Sequence, residues 1–448
     1  MRPIPKTAEG VPIAPPSSIT PDLSMKVDQP IIWQERKYEL ITPLFGGGVE
    51  PSHADPVTVI RGTAIRGHLR FWWRATRGGR SNGNLREMKK KEEELWGAAS
   101  TPGDPKPSKV QIAITDITNG SQMKPFERGR ADAGWQELAY AAFPLQEKGQ
   151  PVLNDVGFTL SMSFPEKEKE EVEAALWAWE TFGGIGARTR RGFGALKSGT
   201  LPGKPNKLKT RLLADAEKYV SRGNWPEAVP HLTSNLSFVI VTKKENKNRV
   251  AFASAFEAWE HLISELKGFR QSRSGRFGRS KWPEPEQIRR ITGQRGHPED
   301  STLLGVEKFP RAVFGLPIIF HFKGGNEEKP YSSSLDPIDS TLKGGPYSDG
   351  TRTKYGERLA SPLILRPLLC GNNQAVGLAL LLEAPRVPPE GFRLTGDGFD
   401  EPVRCQLTKA EASKIEPLRK AANNLGHEDD ELDVLQSFMD TLREKEEN

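Results

Sequence analysis

The stretch VIRGTAIRGHLRFWWRATR, residues 59–77, predicts a helix with one apolar and one cationic face. We expect the helix to begin after Arg61 and Gly62, with Thr63 as its capping residue. Two sets of side chains then recur at helical spacing on adjacent faces. The apolar set is Ile65, Leu69, Trp72 and Trp73, and the cationic set is Arg66, Arg70, Arg74 and Arg77.

The cationic face has no partner within its own segment. Residues 61–86 contain seven arginines and no carboxylate, so no local pair can neutralise the charge. A guanidinium offers a planar pair of donors that matches phosphate oxygens, and a helix N-terminus favours an anion. The segment therefore predicts a surface for an external polyanion. The alternative is an ordinary solvated face on a core helix.

A second segment, GGIGARTRRGFG at residues 183–194, combines glycines with arginines. Glycine lets backbone N–H groups approach a phosphate or a ribose that a side chain would keep away. We expect this loop and the arginine face of the helix to line one cleft. A further stretch, FRQSRSGRFGRSKW at residues 269–282, holds five basic residues and no acid, and is a second candidate surface. Trp73 and Trp282 are candidates for stacking on bases, with packing in the core as the alternative for both.

Motifs for nucleotide or metal chemistry are absent from the sequence. The 183–194 segment does not have GxGxxG spacing after a strand, and no glycine loop ends in Gly-Lys-Ser or Gly-Lys-Thr. The seven histidines do not show the spacing of a zinc site. We therefore expect no cofactor and no metal.

Charge is segregated along the 448 residues. The net charge is +6, but residues 409–448 hold six basic and eleven acidic residues, which leaves about +11 on the first 408. A basic body of this kind favours nucleic-acid contact. No apolar run approaches the roughly 20 residues of a membrane span, and the first thirty residues predict a proline-rich arm rather than a signal peptide. With only Cys370 and Cys405, the composition fits a reducing compartment, and we expect a cytoplasmic protein.

The order of predicted elements indicates an α+β fold. Strands at 36–42, 109–118, 156–164 and 192–199, with helices after the first and third, give the order of a ferredoxin-like or RRM-like unit. A strand at 235–242, a helix at 251–266 and strands at 312–323, 362–370 and 375–383 predict a second, interrupted copy. Helices at 409–425 and 428–445 would end the chain. The predicted divisions are an arm (1–30), a first domain (31–203), a linker (204–234), a second domain (235–405) and an acidic helical tail (406–448).

Several segments together resemble the RAMP superfamily of CRISPR-associated proteins. They are PLFGGG (43–48), IRGTAIRGHLRFWWRA (60–75) and GGIGARTRRGFG (183–194), and in the second half GRSKWPEPEQIR (278–289), FPRAVFGLPIIFHF (309–322) and RLASPLILRP (358–367). The second-half segments resemble the first-numbered RAMP subunit of the type III-B (Cmr) effector complex. The resemblance spans residues 37–383 and leaves out the arm, an insertion at 324–356 and the tail.

The resemblance implies two ferredoxin-like domains in a non-catalytic subunit that contacts the 3′ region of CRISPR RNA or the target RNA paired there. The implied partners are these RNAs, the other Cmr-type RAMP subunits and the large polymerase-cyclase subunit. The RNA contacts that it implies are Arg61, Arg66, Arg70, Arg74, Gly184, Gly186, Arg188, Arg190 and Arg191. From the basic stretch itself we add Arg276, Arg279 and Trp282.

Two other classes of function stay open. Some RAMP proteins cut CRISPR RNA precursors with a histidine near the first helix, where His53 and His68 lie. His53 with Arg61 or Arg66 could supply the base and the cationic stabilisation of such a ribonuclease, whereas His68 lies in mid-helix on the side nearer the apolar face. Asp55 is a weaker candidate for cleavage, because an Asp near a proline is usually a turn residue. A protein-only scaffold, whose arginines dock an acidic partner, is the third class.

Overall fold

Two three-stranded antiparallel sheets form the centre of the molecule. The computed structural model describes residues 30–48, 53–55, 57–99, 106–127, 130–132, 134–143, 145, 149–197, 205–274, 279–292, 303, 305–320, 340–345, 358–388 and 391–447. The first unit contains β1 Ile31–Glu39, α1 Gly62–Arg77, α2 Leu85–Trp96, β2 Gln111–Thr118, β3 Ser121–Met123, β4 Phe126–Glu127, β5 Arg130–Ala131, β6 Val152–Asn154, β7 Gly157–Pro165 and α3 Lys169–Phe182.

The first sheet has the strand order β1-β7-β2, with β7 antiparallel to both neighbours. The free edge of β1 is met by Leu196, which forms an isolated bridge with Leu40. Since α1 follows the first strand and α3 follows β7, the chain traces a ferredoxin-like unit. The predicted closing strand at 192–199 is reduced to that bridge, because Gly192 and Gly194 have φ values of 88° and 58° that an extended strand does not contain.

Helix α1 carries the predicted apolar face but starts differently. The N-cap is Arg61, no side chain caps the first turn, and Thr63 is the second residue of the helix rather than the predicted cap. Ile65, Leu69, Trp72 and Trp73 are all buried. The indole N–H of Trp73 donates to Glu171 at 2.7 Å. Trp73 therefore packs in the core, which was the alternative to base stacking.

The remaining elements belong to the second unit, apart from the first of them, which packs into the core of the first unit. In chain order they are α4 Pro205–Tyr219, β8 Ser237–Val241, β9 Lys243–Glu245, β10 Asn248–Val250, α5 Ala255–Arg270, α6 Glu284–Ile291, β11 Ile318–Phe320, β12 Ser340–Gly344, β13 Leu363–Leu369, β14 Ala375–Leu381, β15 Phe392–Gly396, β16 Phe399–Val403, β17 Leu407–Thr408, α7 Lys409–Ala412, α8 Arg419–Asn423, β18 Glu431–Leu432 and α9 Val434–Glu447. The sheet order is β13-β14-β8. With α5 on β13 and β14, and α9 on β8 and β14, this is a second ferredoxin-like unit whose last strand is missing from the described residues.

Both faces of the second sheet are buried. All seven residues of β14 are buried, and they alternate between two cores. Leu378 and Leu380 lie in the core of the first unit, whereas Ala379 and Leu381 lie in that of the second. A sheet covered on both faces needs apolar residues at every position, which explains the uninterrupted run AVGLALL. The two units therefore share this sheet and are packed against each other.

Three segments predicted as peripheral contribute to the structure. Residues 204–234, predicted as a linker, include α4, whose Leu208 and Leu212 are buried in the first core. The predicted insertion at 324–356 supplies β12 to a four-stranded sheet of order β11-β12-β15-β16. The C-terminal stretch supplies α9, whose Phe438 is buried. Pro417 lies between α7 and α8 and breaks the helix predicted at 409–425, since proline provides no N–H.

Candidate nucleic-acid interface

The arginine face of α1 is largely paired within the chain. Glu92 in α2 is 5% exposed, and its Oε1 accepts from Arg70 Nε and from Arg74 Nη1, at 2.6 Å each. Arg77 pairs with Glu171 in α3 at 2.9 Å. Carboxylates from outside residues 61–86 therefore reach Arg70 and Arg74, so the charge of this face is partly neutralised within the chain, and the contact of these arginines with RNA stays a prediction.

Two further arginines predicted to bind RNA hold the backbone. Arg66 Nη1 donates to the Val110 carbonyl at 3.1 Å and to the Trp96 carbonyl at 3.3 Å. Arg61 donates to the carbonyls of Gly47 and Gly48. These bonds attach α1 to α2, to β2 and to the PLFGGG turn, so both side chains have structural partners.

The glycines of the 183–194 loop are required by close packing. Gly186 has φ 85°, and a Cβ there would lie 2.6 Å from the Phe45 carbonyl oxygen. A Cβ on Gly184 would lie 2.7 Å from the carbonyl oxygen of Gly194. Both distances are too short for a real side chain. The structure thus gives Gly184 and Gly186 a packing role, and their approach to RNA stays a prediction.

The three loop arginines have different roles. Arg190 donates to the Ser361 carbonyl, and Arg191 donates to the carbonyls of Leu363 at 2.8 Å and Phe314 at 3.0 Å. These bonds tie the loop to the second unit. Burial, followed by the nearby cations, lowers the pKa of Arg191 to about 9. Arg188 lines a cleft together with residues of the second unit.

This cleft, which we call the arginine cleft, has a volume of about 1350 Å³ and lies where the two units meet. Its walls come from residues 136–143, the 183–194 loop, the end of α5 with the following basic stretch, α6, and residues 311–320. Its cationic lining residues are Arg188, Arg191, Lys267, Arg270, Arg273, Arg279, Arg289, Arg311 and Arg358.

The electrostatics of the arginine cleft are strongly one-sided. Nine cations line it against one lining carboxylate, that of Glu286. Glu286 lies 3.8 Å from Arg279 and 3.7 Å from Arg289, and the buried Glu284 lies 3.1 Å from Arg311 Nε. Burial, with Arg311 close by, lowers the pKa of Arg270. The internal carboxylates compensate only part of the charge, so the cleft favours an anionic ligand.

Two cations of the cleft are directly available to a ligand. Arg273 and Arg358 are exposed, and neither pairs with any carboxylate among the residues that the structure describes. Arg273 lies in the basic stretch 269–282, which was predicted as a surface without naming this residue. Arg358 had no signal beyond its charge, because only the fold brings it to the cleft.

The structure therefore unites some predicted residues and separates others. Arg188, Arg191 and Arg279 line the same cleft, whereas Arg61, Arg66, Arg70 and Arg74 do not. Arg276 lies outside the described residues. Trp282 is 1% exposed and its indole donates to the Phe269 carbonyl at 2.9 Å, so it is a core residue and not the predicted stacking surface.

Phe143 was missed by the sequence analysis. It is 42% exposed and lines the cleft, with the Arg188 guanidinium 5.3 Å from its ring centre. No local pattern marks it, because it follows apolar residues of the core and becomes distinctive only beside the loop arginine.

The residues of the ribonuclease alternative lie outside the cleft lining. Burial lowers the pKa of His68 in α1 to about 4, which makes it a weak base at neutral pH. The Asp55 carboxylate accepts the N–H groups of Val57 at 2.9 Å and Thr58 at 2.8 Å, and these bonds lower its pKa. Within the described ranges, no group of three or more His, Cys, Asp or Glu is placed to hold a metal ion.

No helix in the described part of the chain combines the length and apolar character needed to cross a membrane.

Part of the chain is similar to known proteins. Residues 37–197 match the family model of the RAMP superfamily. The chain is homologous to the CRISPR system Cmr subunit Cmr1-2 of Pyrococcus furiosus, with 26% identity over 177 residues that cover 36% of this chain and 91% of the relative.

Two solved structures are also similar. The crystal structure of Cmr1 from Pyrococcus furiosus, apo form, aligns at 17% identity with a TM-score of 0.44, covering 80% of this chain and 90% of that one. A chain in a cryo-EM structure of the type III-B Cmr-beta complex bound to cognate target RNA aligns at 12% identity with a TM-score of 0.42, covering 80% and 96%.

Proposed function

We propose that this protein is a non-catalytic, RNA-binding subunit of a type III-B (Cmr) CRISPR effector complex, and that the arginine cleft is its RNA-binding surface. The observation that carries the proposal is the lining of the cleft, with nine cations and one carboxylate. Homology to a Cmr subunit supports the placement in such a complex. CRISPR RNA, target RNA, the other RAMP subunits and the large subunit are then its partners, in the cytoplasm.

The chemistry of the cleft favours a nucleic-acid backbone over an acidic protein surface. Eight of the nine cations are arginines, whose planar donors match phosphate oxygens two at a time. The cleft also lies where residues of both units meet. A cationic groove that tracks the phosphate backbone is typical of proteins that bind single-stranded nucleic acid.

The three candidate catalytic residues lie away from the proposed RNA-binding surface. His53, Asp55 and His68 are all outside the lining of the arginine cleft, so RNA held there is not brought to them. At a pKa of about 4, His68 also takes up a proton too weakly to activate a ribose hydroxyl. Asp55 is engaged by two backbone N–H groups of its own turn. These placements support a non-catalytic role.

The test is RNA binding by the full chain, measured by fluorescence anisotropy with a labelled single-stranded RNA over a series of salt concentrations. The variant Arg273→Gln with Arg358→Gln removes two exposed cations that have no carboxylate partner among the described residues. We expect weaker binding, and a salt slope reduced by about 0.7 for each lost phosphate contact. The matched control is Arg86→Gln, an exposed arginine of α2 outside the cleft.

Unchanged affinity and an unchanged salt slope in the double variant would remove the cleft as the RNA-binding surface. Weak binding that scarcely depends on salt, in the parent as well, would favour the scaffold, since a packed protein interface does not release counterions from RNA.

A further inference from the structure

We infer that Phe143 is a base-stacking platform in the arginine cleft, and that the cleft therefore takes unpaired, single-stranded RNA. The inference rests on the proposed function, because it assumes that the ligand of the cleft is RNA. It adds the strandedness of the ligand and a contact that recognises a base.

The exposure of Phe143 is the first supporting observation. Of the large apolar side chains that line the cleft, only Phe143 and Ile319 are exposed among the described residues, at 42% and 45%. A single exposed apolar side chain on a protein surface needs no explanation. Here, however, an aromatic ring is exposed in a cleft lined by nine cations, beside the groups that would bind phosphates.

The second observation is the contact with Arg188. The guanidinium lies 5.3 Å from the centre of the Phe143 ring, and its Nη1 donates to the Ala141 carbonyl at 2.8 Å. This hydrogen bond holds the cation in place, and the cation–π contact holds the ring. A preorganised ring with an open surface loses little conformational entropy when a base stacks on it.

The combination of ring and cations distinguishes the ligand. A phosphate backbone can be held by arginines in a duplex or in a single strand. In a duplex the bases are stacked on one another, so a protein ring reaches a base only where the strand is unpaired. Arginines that bind phosphates beside a ring that binds a base fit a single strand, with little preference for its sequence.

The experiment compares two RNAs that differ only in pairing. One is a single strand that contains 2-aminopurine, whose fluorescence is quenched by stacking, and the other is the same strand annealed to its complement. Affinity and 2-aminopurine fluorescence are measured for the full chain and for Phe143→Ala, Phe143→Leu and Phe143→Trp, with circular dichroism as the check on folding.

We expect the parent to prefer the single strand. Phe143→Ala should weaken that binding by about 5- to 150-fold, the equivalent of 1–3 kcal/mol for one stacked base, and leave duplex binding unchanged. Phe143→Leu keeps an apolar side chain without a π face and should also lose affinity and the fluorescence change. Phe143→Trp should retain both.

The outcomes separate this inference from the proposed function. If Phe143→Ala binds the single strand like the parent while the Arg273 and Arg358 double variant is weakened, RNA binding stands and the stacking platform is wrong. Equal loss of single-strand and duplex binding in Phe143→Ala also contradicts it. If the parent binds neither RNA, the proposed function itself fails.

Discussion

Arg366 in β13 joins the two units through a buried cation. Its side chain is fully buried, and it donates to three carbonyls of the first unit: Glu180 at 3.1 Å, Gly183 at 2.5 Å and Leu196 at 2.8 Å. Burial lowers the pKa of its guanidinium to about 9. Removing this side chain should therefore affect both the interface between the units and the start of the glycine-arginine loop.

The variant Arg366→Met keeps a long side chain and removes all three donors. Each buried carbonyl left without a donor costs about 1–3 kcal/mol. Part of that cost is offset because a desolvated cation no longer has to be buried. Taking the low end for each of the three carbonyls, we expect the free energy of unfolding to fall by about 3 kcal/mol. Arg366→Lys keeps the charge but not the planar set of donors, so its loss should be smaller, at about 2 kcal/mol.

Urea unfolding followed by tryptophan fluorescence and by far-ultraviolet circular dichroism tests this expectation. Because the units share a sheet, the unfolding transitions seen by the two probes should coincide in the parent. They should separate in Arg366→Met if the two units unfold independently. A variant whose free energy of unfolding lies within about 1 kcal/mol of that of the parent, with coincident transitions, would show that the buried cation does not join the units.

Three further predictions follow from other buried groups. Glu92→Gln should lower the free energy of unfolding by about 2 kcal/mol, because Arg70 and Arg74 lose the carboxylate that they share. RNA affinity, compared at equal folded fraction, should stay unchanged. Tighter RNA binding by the variant would indicate that the arginine face of α1 is an RNA site. The pKa of His68 is about 4 in the folded protein against the usual 6.5, so the folded state favours the neutral imidazole. The resulting contribution to the free energy of unfolding is complete above pH 6.5 and declines as the pH falls towards 4. The parent should lose up to about 3 kcal/mol of unfolding free energy between pH 6.5 and 4 that His68→Gln retains, as measured by urea unfolding at each pH. Burial raises the pKa of Cys370 and that of Cys405, the latter to about 12. Iodoacetamide at pH 8, with mass spectrometry as the readout, should therefore modify neither thiol in the native protein and both in urea. Fast modification of the native protein would contradict the burial of these thiols.

The apolar side of the fold is readable from the sequence because its signal is local. Ile65, Leu69, Trp72 and Trp73 recur within one helix, and the helix buries them as the spacing predicts. The uninterrupted apolar run of β14 likewise records burial on both faces. The strands and helices that were predicted for the two ferredoxin-like units therefore occur in the predicted order, whereas α2, α4 and α6 were not predicted.

The partners of the arginines could not be read in the same way. Arg70 pairs with Glu92, which lies 22 residues away in the sequence, and Arg77 pairs with Glu171, which lies 94 residues away. The absence of carboxylates from residues 61–86 is a property of the sequence, but the absence of a partner is a property of the fold. A count within the segment cannot distinguish a cation paired at long range from one left for a ligand.

The glycine-arginine loop shows why fold and binding surface are interdependent in this protein. Arg190 and Arg191 attach the loop to the second unit, and Arg366 reaches back to its first residue, Gly183. Arg188 has a φ of 58°, a conformation that costs free energy for a residue other than glycine and persists where the surroundings impose it. The contacts between the units thus fix the loop that carries Arg188, and the hydrogen bond of Arg188 to the Ala141 carbonyl holds its guanidinium beside Phe143. Arg190 and Arg191 thus have structural roles and help to position Arg188 at the cleft. The composition of the loop alone does not distinguish the three arginines.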